Sequence, residues 1–284
     1  MKILVTGRGK SGSWRIRGEQ LGGALGATVA PRASAALGYD VAVLVKRPDA
    51  ALLGALREAA VPIVWDVVDA WPQPAGNSWD RDGCLLWLRA ALATIRPAGI
   101  VAATEAMAND CEEFGVPALA LPHHARAGAM RTPIRPLRVV GYEGAEQHLG
   151  RWGPWLAEEC AKRGLEWRIN PTSLSELDIV VALRDATGYA PRRWKSNVKL
   201  ANAQATGTPI ICAREAGYLE TASGGECWAD TQAEVAAGLD LLHSARERSA
   251  RACTLAAGSL RLDFVAAKYL SWLETLCCTT AAKY

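Results

Sequence analysis

Long apolar runs are missing from this 284-residue chain: none reaches the ~18 residues that a bilayer-spanning helix needs, so no membrane span is expected. Metal-spaced cysteines are missing as well. The eight cysteines contain no C-x-x-C, and Cys277 and Cys278 are direct neighbours. That excludes a zinc ribbon and, at this length, a disulfide frame; buried thiols in a reducing, cytoplasmic compartment (the host cytoplasm, if viral) are expected instead. Excess charge is missing: 32 basic against 29 acidic side chains give a net +3, and with 50% hydrophobic residues the chain is neither a disordered tail nor a polyelectrolyte. The stretch Met1–Gly7 is too short for the apolar core of a signal peptide and reads as a first strand. Phenylalanine is scarce, at 2, whereas tryptophan reaches 11, so the aromatic surface of the protein is mostly indole. The length predicts two domains.

What is present is unevenly placed. Residues 8–17 carry Arg8, Lys10, Arg15 and Arg17 without an acid. Residues 126–138 carry Arg126, Arg131, Arg135 and Arg138, again without one. Residues 184–199 set Arg184, Arg192, Arg193, Lys195 and Lys199 against Asp185 alone. These windows hold +12, leaving −9 for the rest, which is the pattern of basic loops focusing a polyanion. Any one of them alone reads more plainly as a solvated loop.

Near-continuous apolar strands alternate with amphipathic stretches through the first half: Lys2–Thr6, Asp40–Val45, Val61–Asp66, Gly99–Ala103 and Pro117–Leu121 are the strands. This predicts an α/β fold with a parallel sheet covered on both faces. A proline-rich segment with no apolar period follows, and the pattern then restarts at Leu137–Gly144 as a strand and glycine turn. Strands are expected at Leu165–Ile169, Asp178–Leu183 and Thr208–Cys212, and helices at Ser196–Thr206, Thr231–Leu242 and 250–276. The expected plan is two Rossmann-like domains facing across a cleft: residues 1–130, a linker at 131–137, residues 138–276 and a tail at 277–284. Trp272 and the apolar residues of 260–276 fit a last helix that crosses back over the cleft.

Two segments carry chemical signals. Gly7-Arg8-Gly9-Lys10-Ser11-Gly12 matches G-x-G-x-x-G between a strand and a helix, where backbone N–H groups can approach an anion. Ser13, Trp14, Arg15 and Arg17 crowd the same strand end, as an acceptor- or phosphate-binding loop would require. No acid ends the next strand to hold a ribose, although Arg32 could meet a 2′-phosphate, so an NADP-dependent oxidoreductase is an alternative. The second segment runs from Lys195 to Glu220. Lys195 and Lys199 share a helix face, Ser196 can cap that helix, and Asn202 lies one turn on, which makes a diphosphate seat. Gly207-Thr208-Pro209 then leads into a strand that delivers Glu215, Gly217 and Tyr218 to the same sheet edge, near Arg184, with Glu220 free to accept sugar or ribose hydroxyls.

This second segment resembles the donor-binding segment of GT-B glycosyltransferases of the family 1 and 4 type, in which a basic residue precedes K-L-x-E/N-A-x-A-x-G-x-P-V-I. The resemblance implies a nucleoside-diphosphate sugar, with a UDP-hexose as the expected donor, in the carboxyl-terminal domain, and an acceptor in the amino-terminal one. Retaining members carry two glutamates eight positions apart; Trp194 and Asn202 stand there in this chain. Asp69 first and Asp66 second, at a strand's carboxyl end between Trp65 and Trp71, are the expected general bases, with Glu19 a third candidate. His123 and His124 end the last amino-terminal strand and are expected at the cleft. Asp80-Arg81-Asp82 spells a metal-type D-x-D but sits at a helix start, where capping is the expected role. No catalytic metal and no tightly bound cofactor are expected, with Mg²⁺ optional. Compact phage enzymes that glycosylate hydroxymethylated bases are similar in plan, so the expected acceptor is a 5-hydroxymethylpyrimidine in DNA, with Trp14, Trp71, Trp79, Arg15 and Arg17 meeting it. A saccharide, lipid or small-molecule acceptor, or a non-catalytic nucleic-acid-binding protein of the same shape, are the alternatives. A monomer is expected.

Overall fold

The computed structural model describes residues 1–33, 38–47, 50–68 and 79–281. Their strands form two sheets, and every pairing is parallel. The first sheet contains β1 (Ile3–Gly7), β2 (Thr28–Val29), β3 (Val41–Val45), β4 (Ile63–Asp66), β5 (Gly99–Ala102) and β6 (Ala118–Ala120), in the spatial order β2-β1-β3-β4-β5-β6. The second contains β7 (Val139–Tyr142), β8 (Glu166–Ile169), β9 (Ile179–Ala182), β10 (Ile210–Cys212) and β11 (Cys227–Trp228), in the order β11-β10-β9-β7-β8. Strand order therefore reverses at β1 in one sheet and at β7 in the other. Such reversals leave a crevice beyond the strands' carboxyl ends.

Both sheets are covered on both faces, as their apolar strands predict. Successive residues of β1 and β3 enter opposite cores: Leu4, Ala42 and Leu44 join one cluster, and Ile3, Val5, Val41, Val43 and Val45 the other. The second core also holds Val265, Ala266, Tyr269, Leu273 and Leu276, all from the last helix, Leu262–Ala281. That helix does cross back onto the first sheet. It is not continuous with residue 250, however. A separate helix, Ala245–Ala257, stops at Gly258, where a Cβ would stand 2.4 Å from that of Ser223. The expected tail also turns out to be helical as far as Ala281.

Other boundaries shift for local reasons. The helix that follows β1 includes a π-helix over Trp14–Leu21. Asp80 caps the Arg81–Ile95 helix by accepting from the Gly83 N–H at 2.9 Å, which accounts for the D-x-D. The helix expected to start at Ser196 starts at Val198, and Gly207 closes it at φ +64°. Residues 121–138 form neither helix nor strand.

The halves are joined by a seam. The short helix Tyr189–Arg193 and Trp194 belong to the second half by sequence, yet Ala190 and Trp194 sit in the core of the first sheet beside Trp65 and Leu88. Trp194 Nε1 donates to Asp110 Oδ2 at 2.6 Å, and the Tyr189 hydroxyl donates to the same carboxylate at 2.9 Å. Thr104 Oγ1 donates to the Arg193 carbonyl at 2.6 Å. Asn197, fully buried, clasps the His123 backbone from both sides, accepting its N–H at 2.7 Å and donating to its carbonyl at 3.3 Å.

Candidate functional site

Both strand-order reversals open onto one cavity. It has a volume of about 280 Å³ and lies between the halves. The turn after β1 and the helix following it contribute Gly12, Arg15 and Gln20; the turn after β7 contributes Glu143 and Gly144; the Val198–Thr206 helix contributes Val198, Lys199 and Asn202. His124 and Arg126, just beyond β6, close the near side. A second cavity of about 200 Å³ lies past the ends of β9, β10 and β11, lined by Arg184, Asp185, Arg192, Glu215 and Asp230 among others.

Lys199 stands in the wall of the first cavity. Its ammonium stands 5.0 Å from the centroid of the Tyr142 ring, an electron-rich face for a cation. Burial, with Arg184 and Lys195 nearby, pushes its pKa down to about 7. A cation held half-discharged by its surroundings is a strong seat for an anion that restores its charge. Across from it, Arg15 is exposed and reaches the cavity from the π-helix. His124 is buried; its Nε2 pairs with Gln20 Oε1 at 2.9 Å, and its Nδ1 has no partner. Burial and the Arg17 charge lower its pKa to about 4, so it is a neutral imidazole at pH 7. His123 is buried also, with its backbone in the Asn197 clasp.

Of the expected site residues, the cavity gathers Gly12, Arg15, His124, Lys199 and Asn202. Gly7 and Gly9 serve packing: a Cβ on Gly7 would meet the Val45 carbonyl at 2.9 Å, and one on Gly9 would meet Pro31 at 3.1 Å. Ser13 accepts from Lys46 Nζ at 3.3 Å. Trp14 is buried against Gly7 and Gly18, its Nε1 donating to Glu19 at 3.0 Å, so it offers no stacking face and engages the third candidate base. Arg17 turns inward, donating to the Leu121 carbonyl, with Asp66 at 3.8 Å. Asp66, expected as the second candidate base, is 1% exposed beside Arg17, and burial raises its pKa against the pull of that charge. Asp69 and Trp71 lie outside the described residues. The Trp79 carbonyl accepts the Tyr189 N–H at 2.8 Å, placing that residue beside the seam.

The carboxyl-terminal residues divide similarly. Lys195 is half-buried, and its carbonyl lies where a Cβ on Gly217 would come within 2.4 Å; that glycine exists for close backbone approach. Ser196 is buried and does not cap; Asn197 holds the cap position, its side chain bonded to His123 and not to the helix. Tyr218 is in the core, its hydroxyl pKa raised by burial. Arg184 and Glu215 pair with each other on the wall of the second cavity. Glu220 overturns its expected role most clearly. Its carboxylate accepts from the Glu105 N–H at 2.8 Å and the Ala106 N–H at 3.3 Å, at the start of the Glu105–Glu112 helix of the first half. A carboxylate is favoured at that positive helix end, so Glu220 holds the halves together.

Sequence reasoning missed Glu143, Gly144 and Gln20 as cavity residues and the Tyr142 ring beside Lys199, and placed Arg126 in a basic window without assigning it to the cleft. The signal for the first two was available, because a glycine turn leaving the first strand of a restarted wheel is a switch point. Arg126 could be assigned only by seeing it reach Glu143, at 3.4 Å.

No family model and no curated sequence matches the chain. Solved structures do. Over 97% of this chain and 100% of the other, it is similar to Anabaena HepE in complex with UDP and glucose, with a TM-score of 0.68 at 11% identity. A glycosyltransferase from Rickettsia africae gives 0.63 at 8% identity over 97% and 98% of the two chains. WaaG, a glycosyltransferase involved in lipopolysaccharide biosynthesis, gives 0.58 at 12% identity over 94% and 98%. The fold is GT-B. At these identities the likeness establishes architecture alone; in this GT-B chain the first cavity occupies the interdomain cleft. Among the described residues no helix is long and apolar enough to cross a membrane. Nor do three histidine, cysteine, aspartate or glutamate side chains converge among them as a metal site would need.

Proposed function

We propose that this GT-B chain is a nucleotide-sugar-dependent glycosyltransferase. The observation that carries the reading is the single cavity onto which both switch points open, with Lys199 in its wall. Two glycine turns, a lysine at a helix N-terminus and an arginine opposite suit a diphosphate bridging the halves. The nucleoside would extend towards the second cavity past β9–β11, where Arg184 and Glu215 form a fixed polar wall. Anabaena HepE, similar in fold, is complexed with UDP and glucose, which supports a UDP-hexose as donor.

In the transfer, the bond from the sugar's anomeric carbon to the diphosphate oxygen breaks, and a bond to the acceptor oxygen forms. Lys199 and Arg15 hold the charge that gathers on the leaving diphosphate. His124, neutral and held by Gln20, lines the cleft, and its buried Nδ1 has no partner within the protein. Asp69 remains a proposal for the base.

The acceptor reading narrows. Of the cations that pointed to DNA, Arg17, Arg135 and Arg184 are committed to Asp66, Asp178 and Glu215. Arg126 is likewise shared with Glu143, so a hydroxymethylated base would depend on Arg15 at the cleft. Its binding should weaken steeply with salt; a flat salt dependence would direct attention to saccharide or small-molecule hydroxyls.

The test is a thermal-shift panel with UDP, GDP, ADP, dTDP and NADP at ~100 times the dissociation constant, where a ligand adds about 2.7 kcal/mol. A chain of this length should then shift by about 5–10 °C. A shift with one nucleoside diphosphate and none with NADP supports the transferase. A folded protein that ignores every diphosphate overturns it, and a shift with NADP alone favours an oxidoreductase.

A further inference from the structure

Glu143 is the one acidic residue among the described residues that line the interdomain cavity. The backbone fixes its place: Gly144, at φ +146°, donates its N–H to Asn170 Oδ1 at 2.8 Å. Its carboxylate is oriented from two directions. Asn202 Nδ2 donates to Oε2 at 2.8 Å, and Arg126 Nη1 lies 3.4 Å from Oε1. The side chain stays 29% exposed, open to the cavity.

A carboxylate in such a place constrains what can lie beside it. Lys199 and Arg15 draw an anion into the cavity, whereas Glu143, which Arg126 holds in place, repels one. Both demands are met only by a ligand with an anionic part and an uncharged, hydroxyl-bearing part. Two of roughly four lone-pair positions on the carboxylate are taken by Asn202 and Arg126, and the rest accept hydroxyl hydrogens. We infer that Glu143 is the donor-sugar-binding residue of this cleft, gripping hydroxyls of a neutral hexose and rejecting a sugar that carries its own carboxylate. Asn202 is the positioning residue behind it. The inference rests on the transferase reading and adds a specificity to it.

The experiment measures affinities of the full chain for UDP, UDP-glucose and UDP-glucuronate by titration calorimetry, with GDP and GDP-glucose as a second pair, in wild type, Glu143→Gln and Asn202→Ala. The wild type should bind the glucose nucleotide more tightly than the diphosphate alone and UDP-glucuronate at least about tenfold more weakly than UDP-glucose. Glu143→Gln should lose about tenfold for the glucose nucleotide, leave the bare diphosphate within about twofold, and narrow the discrimination against UDP-glucuronate. Asn202→Ala should show the same pattern more weakly. Glu143 lies at the cavity surface and outside either core, so both variants should melt with the wild type, and the unchanged diphosphate affinity reports an intact fold. A Glu143→Gln protein that keeps the wild-type ratio between UDP-glucose and UDP overturns the assignment alone, as does an equal loss for both ligands. A wild type that binds no nucleoside diphosphate overturns the transferase reading, and the assignment with it.

Discussion

Trp194 and Lys199 are five positions apart, yet they mark opposite kinds of contact between the two halves. At Trp194 the halves are sewn together: an indole and a tyrosine hydroxyl converge on Asp110 in a dry core. At Lys199 they stand apart around a cavity with cations on both sides. The seam satisfies its own polar groups and leaves nothing for a ligand. The cavity leaves His124 Nδ1 without a partner and keeps Lys199 short of its ordinary basicity. Closure at one edge and unmet polar capacity at the other belong together, because a rigid seam fixes the spacing at which the two glycine turns face each other.

Breaking the seam should cost the most. Trp194→Ala empties a core site and strands Asp110; it should lose about 3–5 kcal/mol, read as a lower melting temperature or denaturant midpoint. A variant within about 0.5 kcal/mol of wild type would show that the halves do not depend on that edge. Lys199→Ala, on the open side, should weaken nucleoside-diphosphate binding by about 1.5–3 kcal/mol while changing stability far less. The reverse pattern would make Lys199 a structural residue.

The third test uses pH. Lys199 falls from an ordinary 10.5 to about 7 in the empty fold. The unfolded chain then binds more protons between those values, so this residue's contribution to stability rises with pH across that window. Diphosphate binding favours the charged form, so affinity should fall as pH rises above about 7, with proton uptake on binding. Calorimetry in two buffers of different ionisation enthalpy measures that uptake. Lys199→Arg should abolish it, since arginine stays charged. Uptake that persists in the arginine variant would assign the proton to another group.

The smallest effect belongs to Glu220, at the seam's outer margin. Glu220→Gln should cost about 0.3–1 kcal/mol of stability by weakening the charge at the Glu105–Glu112 helix start, and leave diphosphate affinity within about twofold. A large loss of affinity would return Glu220 to the ribose.

The α/β class, the two wheels and the returning last helix were legible because strand and helix periodicities are local. The restart after the prolines was legible for the same reason. That Lys199 and Asn202 line the cavity was legible because helical spacing places them on one face, and that Arg15 does because it follows a glycine turn. Side-chain destination was not legible. Arg15 and Arg17 are two residues apart on one helix; one reaches the cleft and the other is buried beside Asp66. Glu220 was expected at the ligand and Glu143 was not singled out, since only the meeting of the halves decides which carboxylate finds a helix N-terminus and which finds the cavity. Sequence by itself determined which residues are apolar at which period, and hence the sheets, their covering helices and the two strand ends that face the cavity. The tertiary structure alone decided which polar groups are consumed by one another, because pairing across 84 or 115 positions depends on where two independently wound sheets come to rest.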